Sequence, residues 1–152
     1  MGAKTLLLVA HAPSPNTQRL RDALVAGARI NGIALRTRTP FEAVTDDVLE
    51  ADGVLLFTPE NLGYMSGALK DFFDRIYYPT LERKQGMPYA LVVRAGNDGR
   101  GTQRAVQTII TGLRWREVAD ALICRGEFSD AWIAQCTELA AALATGIESG
   151  IW

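Results

Sequence analysis

The sequence predicts an α/β fold in which a parallel, doubly wound β-sheet carries helices on both faces. Apolar runs without helical spacing alternate along the chain with stretches whose apolar residues recur every three or four positions. The runs Leu6–Val9, Val54–Phe57 and Ala90–Val93 are continuously apolar, as expected for parallel strands covered on both faces. The length of 152 residues, 48% of them hydrophobic, suits one compact domain over residues 1–152.

Five strands are predicted, and the second is the weakest. Its apolar residues stop after the first half and charged residues follow, which is typical of an edge strand. The predicted strands are Thr5–Ala10, Ile33–Arg38, Gly53–Phe57, Tyr89–Arg94 and Val118–Cys124.

The helical spacing predicts one helix after each strand. Thr45 is expected to cap the start of the short second helix, Ser129 is expected to cap the start of the last one, and Gly146 is expected to close it. The predicted helices are Asn16–Ile30, Asp46–Ala51, Ser66–Tyr77, Thr102–Leu113 and Asp130–Thr145.

Strict alternation of strand and helix restricts the topology. Right-handed crossovers leave few arrangements, and five strands in a chain of 152 residues fit the order 2-1-3-4-5. In this order, a ligand is expected beyond the carboxyl ends of strands 1, 3 and 4. The three loops at those ends are therefore the candidate site.

The composition excludes several function classes. With 16 Lys plus Arg against 17 Asp plus Glu, the charge of −1 gives no footprint for nucleic acid or an anionic membrane. No apolar stretch has the length of a membrane helix, so membrane insertion is not expected. Cys124 and Cys136 are expected to be buried free thiols in a cytoplasmic protein. His11 is the single histidine, which excludes a two-His metal site, and no metal is expected.

The first loop, residues 11–17, follows strand 1 and opens the first helix. Ser14, Asn16 and Thr17 supply short polar side chains, and a helix N-terminus suits a phosphate. The same residues are favoured helix caps, so phosphate binding and plain capping both remain open for this loop alone. Neither a P-loop nor a Gly-x-Gly-x-x-Gly fingerprint is present, which disfavours ATP, GTP and a Rossmann pocket.

The second loop, residues 58–67, is rich in Pro, Gly and Asn. Its glycines allow the backbone to approach a flat ligand, with Leu62, Tyr64 or Met65 along the face of the ring. The alternative is a surface loop whose apolar residues are tucked into the core, which is the better interpretation for Met65 individually.

The third loop, residues 95–102, contains three glycines in six residues, 96–101. Asp98 would repel a phosphate, so the edge of a ring or a nicotinamide is the better ligand, and a flexible turn is the alternative. Arg100 either faces solvent or attracts a phosphate of NADPH.

The stretch Thr58–Arg75 closely resembles the second flavin loop and following helix of the flavodoxin-like NAD(P)H-dependent FMN reductase and quinone reductase superfamily. Its Gly-Ala-Leu-Lys-Asp-Phe-Phe-Asp-Arg portion is the most specific, and loops one and three extend the resemblance over the full chain. The first loop lacks the Ser/Thr-x-Thr-Gly-x-Thr pattern of electron-carrier flavodoxins. It also has His-Ala-Pro where the reductases usually have Gly-Ser-x-Arg.

The resemblance implies a flavodoxin-like fold, FMN as cofactor and NAD(P)H as co-substrate. His11 is expected to have a structural role or to hydrogen-bond the phosphate, rather than to act in catalysis. The implied FMN-binding residues are Ser14, Asn16 and Thr17 at the phosphate; Pro59, Glu60, Asn61, Leu62, Gly63 and Tyr64 along the isoalloxazine; and Ala95, Gly96, Asn97 and Gly99 at its pyrimidine edge.

The implied activity is hydride transfer from nicotinamide C4 to flavin N5 and on to a small acceptor such as a quinone or free flavin. The flavin carries this chemistry, so no catalytic side chain is nominated. One alternative is an electron carrier, although such flavodoxins are typically strongly acidic, unlike this chain. The other is a binding module that holds FMN weakly or not at all. The choice between NADH and NADPH and the physiological acceptor stay open.

A homodimer or higher homo-oligomer is also expected. Tyr, Trp and Arg are enriched at interfaces, and three stretches combine them with apolar residues. These stretches are Tyr77–Leu81, Leu113–Arg116 and Ile151–Trp152.

Overall fold

The computed structural model describes residues 2–152, which form alternating strands and helices. The strands are β1 (Lys4–Ala10), β2 (Ile33–Arg38), β3 (Gly53–Asn61), β4 (Tyr64–Met65), β5 (Pro88–Ala95), β6 (Arg116–Glu117) and β7 (Leu122–Arg125). The helices are α1 (Pro15–Ala28), α2 (Thr45–Glu50), α3 (Gly67–Thr80), α4 (Arg100–Leu113) and α5 (Ala131–Ser149).

The sheet has the order β2-β1-β3-β5, and both β6 and β7 pair with β5 on its outer side. These pairings are all parallel, and β2 is an edge strand, as predicted. The flavodoxin-like order 2-1-3-4-5 is therefore confirmed, with the predicted fifth strand present as two short pieces.

The prediction of one continuous strand over Val118–Cys124 was wrong. Between the pairs Tyr89↔Glu117 and Val92↔Leu122, two residues of β5 face four on the outer strand. Two extra residues therefore form a bulge at the sheet edge, where no further neighbour enforces regular pairing.

Two apolar layers cover the sheet, because successive strand residues point to opposite faces. On one face, α2, α3 and α4 pack over residues such as Leu7, Leu56 and Leu91. On the other face, α1 and α5 pack over residues such as Leu8 and Phe57. Burial on both faces explains why three strands are continuously apolar in sequence.

The helices begin and end within about four residues of their predicted bounds, and two predicted end residues, Gly146 and Thr45, have other positions in the structure. Gly146 does not end the last helix: α5 continues to Ser149, and Gly150, at φ 77°, forms the left-handed cap. The aromatic side chain of Trp152 folds back against Gly146, where a Cβ atom would meet its indole nitrogen at 1.8 Å. Thr45 lies inside α2, where Asp47 accepts a hydrogen bond of 2.9 Å from the Val44 amide instead.

Both cysteines are buried free thiols, as predicted. They pack in the α1/α5 layer, where hydrogen bonding from Cys136 lowers the pKa of Cys124 and raises that of Cys136. Across residues 2–152, the helices are all too short or too polar to cross a membrane.

Candidate functional site

The parallel sheet brings the three candidate loops to one edge. Ala10 at the end of β1 pairs with Phe57 of β3, and Pro59 of β3 pairs with Arg94 of β5. The chain leaves β1 towards β2 on one side and then returns to β3 on the other. The carboxyl ends of strands at such a reversal, here β1 and β3, are the usual ligand position in open α/β sheets.

The first loop forms a reciprocal helix cap. The Thr17 amide donates to Ser14 Oγ at 3.2 Å, and the Ser14 amide donates to Thr17 Oγ1 at 2.9 Å. The two hydroxyls are 2.8 Å apart, and Thr17 Oγ1 also lies within donating distance of the Ser14 carbonyl. When Thr17 donates to Ser14 Oγ, the Ser14 O–H is left to donate outward; when Thr17 donates to the carbonyl, Ser14 donates to Thr17 Oγ1 instead.

Prolines reduce the number of backbone donors in this loop. Pro13 and Pro15 carry no N–H, and the amides of Ser14 and Thr17 are used within the cap. The Asn16 amide in the first turn is left available by these bonds, and so is the Ser14 hydroxyl when Thr17 donates to it. Together with the positive end of the α1 dipole, they suit one anion.

His11 lies between the end of β1 and this cap. Its amide donates to the Phe57 carbonyl at 3.0 Å, which ties the loop to β3. The side chain is partly buried, and desolvation lowers the pKa of the imidazole below its ordinary 6.5. A neutral imidazole still carries one N–H donor, so His11 can offer a hydrogen bond but no charge at neutral pH.

The second loop is more regular than predicted. β3 continues through Asn61 and pairs with β4, so the segment forms a β-hairpin with Leu62 and Gly63 at its turn. The prediction of a loop over residues 58–67 was wrong, because a two-residue ladder is too short to show a period in the sequence. The buried Thr58 hydroxyl supports the base: it accepts from the Ser66 amide at 3.0 Å and donates to the Pro59 carbonyl at 2.8 Å.

Leu62 is the most unusual residue of the hairpin. Its φ of 53° lies in the left-handed region, which costs an L-residue about 1–2 kcal/mol. The side chain is fully exposed, with a relative accessibility of 105%, so no core packing offsets this cost. Tyr64 beside it is 41% exposed, whereas Met65 is buried in the core, as was predicted for Met65. Both turn residues, Leu62 and Gly63, have positive φ, as a tight hairpin turn requires, so the strain belongs to the turn itself.

The third loop is fastened to the hairpin. Glu60 Oε1 accepts a hydrogen bond of 3.0 Å from the Asn97 amide, and its Oε2 accepts one of 2.9 Å from the Gly99 amide. The first turn of α4 also packs against the turn of the hairpin, because a Cβ at Gly101 would lie 2.2 Å from the Gly63 carbonyl oxygen.

The structure thus brings the predicted residues together at one edge, but in different environments. Thr17, Pro59, Ala95 and Gly99 are buried and shape the site from beneath. His11, Ser14 and Glu60 are half-buried. Those exposed at the rim are Asn16, Asn61, Leu62, Gly63, Tyr64, Gly96 and Asn97.

Two residues of this site were missed in the sequence. In the sequence Thr58 is only the first residue of the loop, whereas in the structure its hydroxyl holds the base of the hairpin. Gly101 is one of three glycines in the third loop, and the absence of a side chain there lets the hairpin approach α4. No sequence signal distinguishes Gly101 from its neighbours, because the contact is with a residue of another loop.

An open parallel sheet with three loops gathered at its switch point defines a flavodoxin-like α/β protein. The family model for NADPH-dependent FMN reductase matches residues 14–129, which contain all three loops from Ser14 onward. This chain belongs to that family.

Comparison with known proteins agrees with this assignment. A flavodoxin from Aquifex aeolicus is 29% identical over 109 residues, which are 71% of this chain and 59% of the flavodoxin. The match thus spans about three fifths of that relative.

Solved structures share the fold at low sequence identity. A flavodoxin from the domain Archaea superposes with a TM-score of 0.82 at 15% identity, covering 95% of this chain and 99% of its own. An NADH:FMN oxidoreductase gives 0.72 at 12% identity, covering 94% and 89%. A WrbA-like flavodoxin from Agrobacterium tumefaciens gives 0.75 at 15% identity, covering 97% and 99%.

Proposed function

We propose that this protein binds FMN at the three-loop edge and is an oxidoreductase that passes hydride from NAD(P)H to a small acceptor such as a quinone or free flavin. The observation that carries the proposal is the hairpin, docked on the third loop beside the switch point, in a chain of the FMN reductase family. When bound, FMN supplies the hydride-accepting and hydride-donating chemistry.

The first loop would hold the phosphate. The Asn16 amide, the Ser14 hydroxyl and the positive end of α1 supply donors to an anion. The Thr17 hydroxyl orients Ser14 rather than facing the ligand, because it is buried and bonded within the cap. His11 adds a neutral N–H donor beside them.

The hairpin and third loop would hold the ring. Leu62 and Tyr64 provide exposed apolar surface for a flat aromatic ligand. Asn61, Gly96 and Asn97 provide polar groups at the rim, and Pro59, Ala95 and Gly99 form the buried support. No acid or base is assigned, since hydride transfer requires stacked rings rather than a proton donor.

The first experiment is a titration of the purified protein with FMN, followed by flavin fluorescence and by thermal denaturation. A ligand of the folded state raises the unfolding midpoint once its concentration exceeds Kd. We expect saturable quenching and a raised midpoint. If neither signal changes at about millimolar FMN, about a thousand times a micromolar Kd, the flavin proposal is refuted and the binding-module alternative takes its place.

A second candidate function is electron transfer between proteins, which the similarity to the Aquifex flavodoxin favours. Steady-state oxidation of NADPH and of NADH by the FMN-loaded protein, with a benzoquinone as acceptor, distinguishes the two. Turnover supports the reductase. Tight FMN binding without turnover with either nucleotide supports the carrier.

A homodimer remains part of the proposal. Tyr78 is 80% exposed and Ile151 is 70% exposed, so two of the three predicted stretches offer apolar surface. Trp115, in the remaining stretch Leu113–Arg116, is instead buried in the core. Sedimentation at several protein concentrations tests the oligomeric state.

A further inference from the structure

Glu60 accepts hydrogen bonds from the third loop that FMN binding does not by itself explain. Its two carboxylate oxygens each accept one backbone N–H of the third loop, from Asn97 at 3.0 Å and from Gly99 at 2.9 Å. These amides belong to the loop that the family resemblance assigns to the pyrimidine edge of the flavin. The carboxylate of Glu60 occupies both of these amides.

The contact is strong for a loop of this kind. Hydrogen bonds to an ionised acceptor are roughly twice as strong as neutral ones, and here two converge on one side chain. The loop they hold contains Gly96 and Gly99, and Gly99 has a φ of 70°, so its unrestrained backbone has many alternatives.

The other end of the same contact is also fixed. Glu60 pairs with Met65 in the hairpin, so its backbone cannot follow a moving loop. The hairpin turn rests on the first turn of α4 through the close approach of Gly63 and Gly101. Glu60 therefore connects a rigid hairpin to a glycine-rich loop, which is the arrangement of a support rather than of a ligand donor.

We propose that Glu60 is a positioning residue that orders the third loop for the flavin ring, and that the amides of Asn97 and Gly99 serve this support instead of contacting FMN. The proposal rests on the proposed function, because it concerns the ring end of the same site. The proposal predicts that other groups of the loop hold the ring. It also predicts that loss of the carboxylate weakens the binding of every ligand that contains the ring.

The test uses the isosteric substitution Glu60→Gln in the full chain. A glutamine has a single acceptor oxygen, and its NH2 group would face a second N–H donor, so at least one of the two bonds is lost. In the FMN-free protein, we expect the Asn97 and Gly99 amides to exchange with D2O faster in the variant. If the third loop is then ordered about a tenth of the time, ligand affinity falls about tenfold.

The affinities for two flavins distinguish the ring end of the site from its phosphate end. Riboflavin contains the ring without the phosphate, so Glu60→Gln is expected to weaken the binding of riboflavin and of FMN by the same factor. Ser14→Ala is expected to weaken FMN while leaving riboflavin unchanged, because Ser14 lies at the phosphate end. A general loss of folded structure would not produce this division, and the unfolding midpoint of each variant is measured alongside.

Glu42→Gln is the matched control. Glu42 Oε1 accepts the Thr39 amide at 2.8 Å in the loop that follows β2, so the substitution removes the same kind of bond away from the third loop. We expect unchanged affinity for both flavins.

Three outcomes would overturn the positioning role. Tighter binding of FMN by Glu60→Gln would mean that the carboxylate blocks amides that the ring needs. Unchanged exchange of Asn97 and Gly99 would mean that the bonds do not order the loop. Faster exchange with wild-type affinity for both flavins would mean that loop order does not matter to the ring, while leaving the proposed function intact. Failure of the wild-type protein to bind either flavin refutes the proposed function itself.

Discussion

The contact between Gly101 and Gly63 gives the sharpest test of how the site is built. A Cβ added at position 101 would lie 2.2 Å from the Gly63 carbonyl oxygen, whereas carbon and oxygen in contact are about 3.3–3.6 Å apart. Gly101→Ala therefore forces the hairpin and α4 apart by about 1 Å. The oxygen that the new Cβ meets belongs to the backbone, so no flexible side chain can give way.

The expected effect of Gly101→Ala on stability is opposite in sign to that of most glycine-to-alanine substitutions in helices. Replacing glycine by alanine inside a helix normally stabilises by about 0.5–1 kcal/mol. Overpacking costs about 1–3 kcal/mol, so we expect Gly101→Ala to destabilise the fold by about 1–2 kcal/mol net. For a chain of this size, that lowers the unfolding midpoint by about 2–8 °C.

Gly67→Ala is the matched control, because Gly67 also lies in the first turn of a helix at the same edge. A Cβ there has no neighbour within 4 Å. We expect its midpoint to be unchanged or to rise by about 1–3 °C. Thermal denaturation of both variants without FMN checks the pair. A Gly101→Ala protein as stable as Gly67→Ala would refute the docking of the hairpin on α4.

Three further predictions concern single residues. Leu62→Gly relieves the left-handed backbone strain and loses no packing, so the free energy of unfolding should rise by about 0.5–1 kcal/mol in urea denaturation; a decrease would show that the exposed side chain stabilises the fold. The lowered pKa of His11 means that the unfolded chain binds its proton at higher pH than the folded chain, so stability falls as the pH drops through about 6.5. His11→Gln should flatten this part of the profile measured between pH 7.5 and 5.5, about one unit on either side of the ordinary value, and an unchanged slope would contradict the assignment. Arg75 donates to the carbonyls of Pro40 and Ala43, at 2.5 and 2.8 Å, so Arg75→Met should cost about 2 kcal/mol and quicken amide exchange in that loop; full retention of stability would show that the two bonds contribute nothing.

Much of the architecture follows from local pattern. The continuous runs Leu6–Val9, Val54–Phe57 and Ala90–Val93 require cover on both faces, which leaves a parallel sheet between helices. Chirality then limits the strand order. The bulge of two residues between β6 and β7 lay beyond this reasoning, because periodicity does not record the register of an edge strand.

The sequence predicted where the candidate site lies but not how its loops contact one another. Loop position after β1, β3 and β5 identified the three segments. The approach of their backbone to a flat ligand stays a prediction. The hairpin of β3 and β4 was missed because a two-residue ladder is too short for a period to emerge.

The sequence by itself determined the sheet, its helices and the three loops at one edge, since these depend on patterns of apolar and turn residues along the chain. Only the tertiary structure decided what the loops do to one another. Glu60 is an ordinary charged residue in sequence, and it becomes a support only because β5 places the Asn97 and Gly99 amides beside it. Gly101 is likewise defined by a carbonyl thirty-eight residues away, at Gly63. Contacts of this kind depend on where strands place distant backbone groups, which no local pattern encodes.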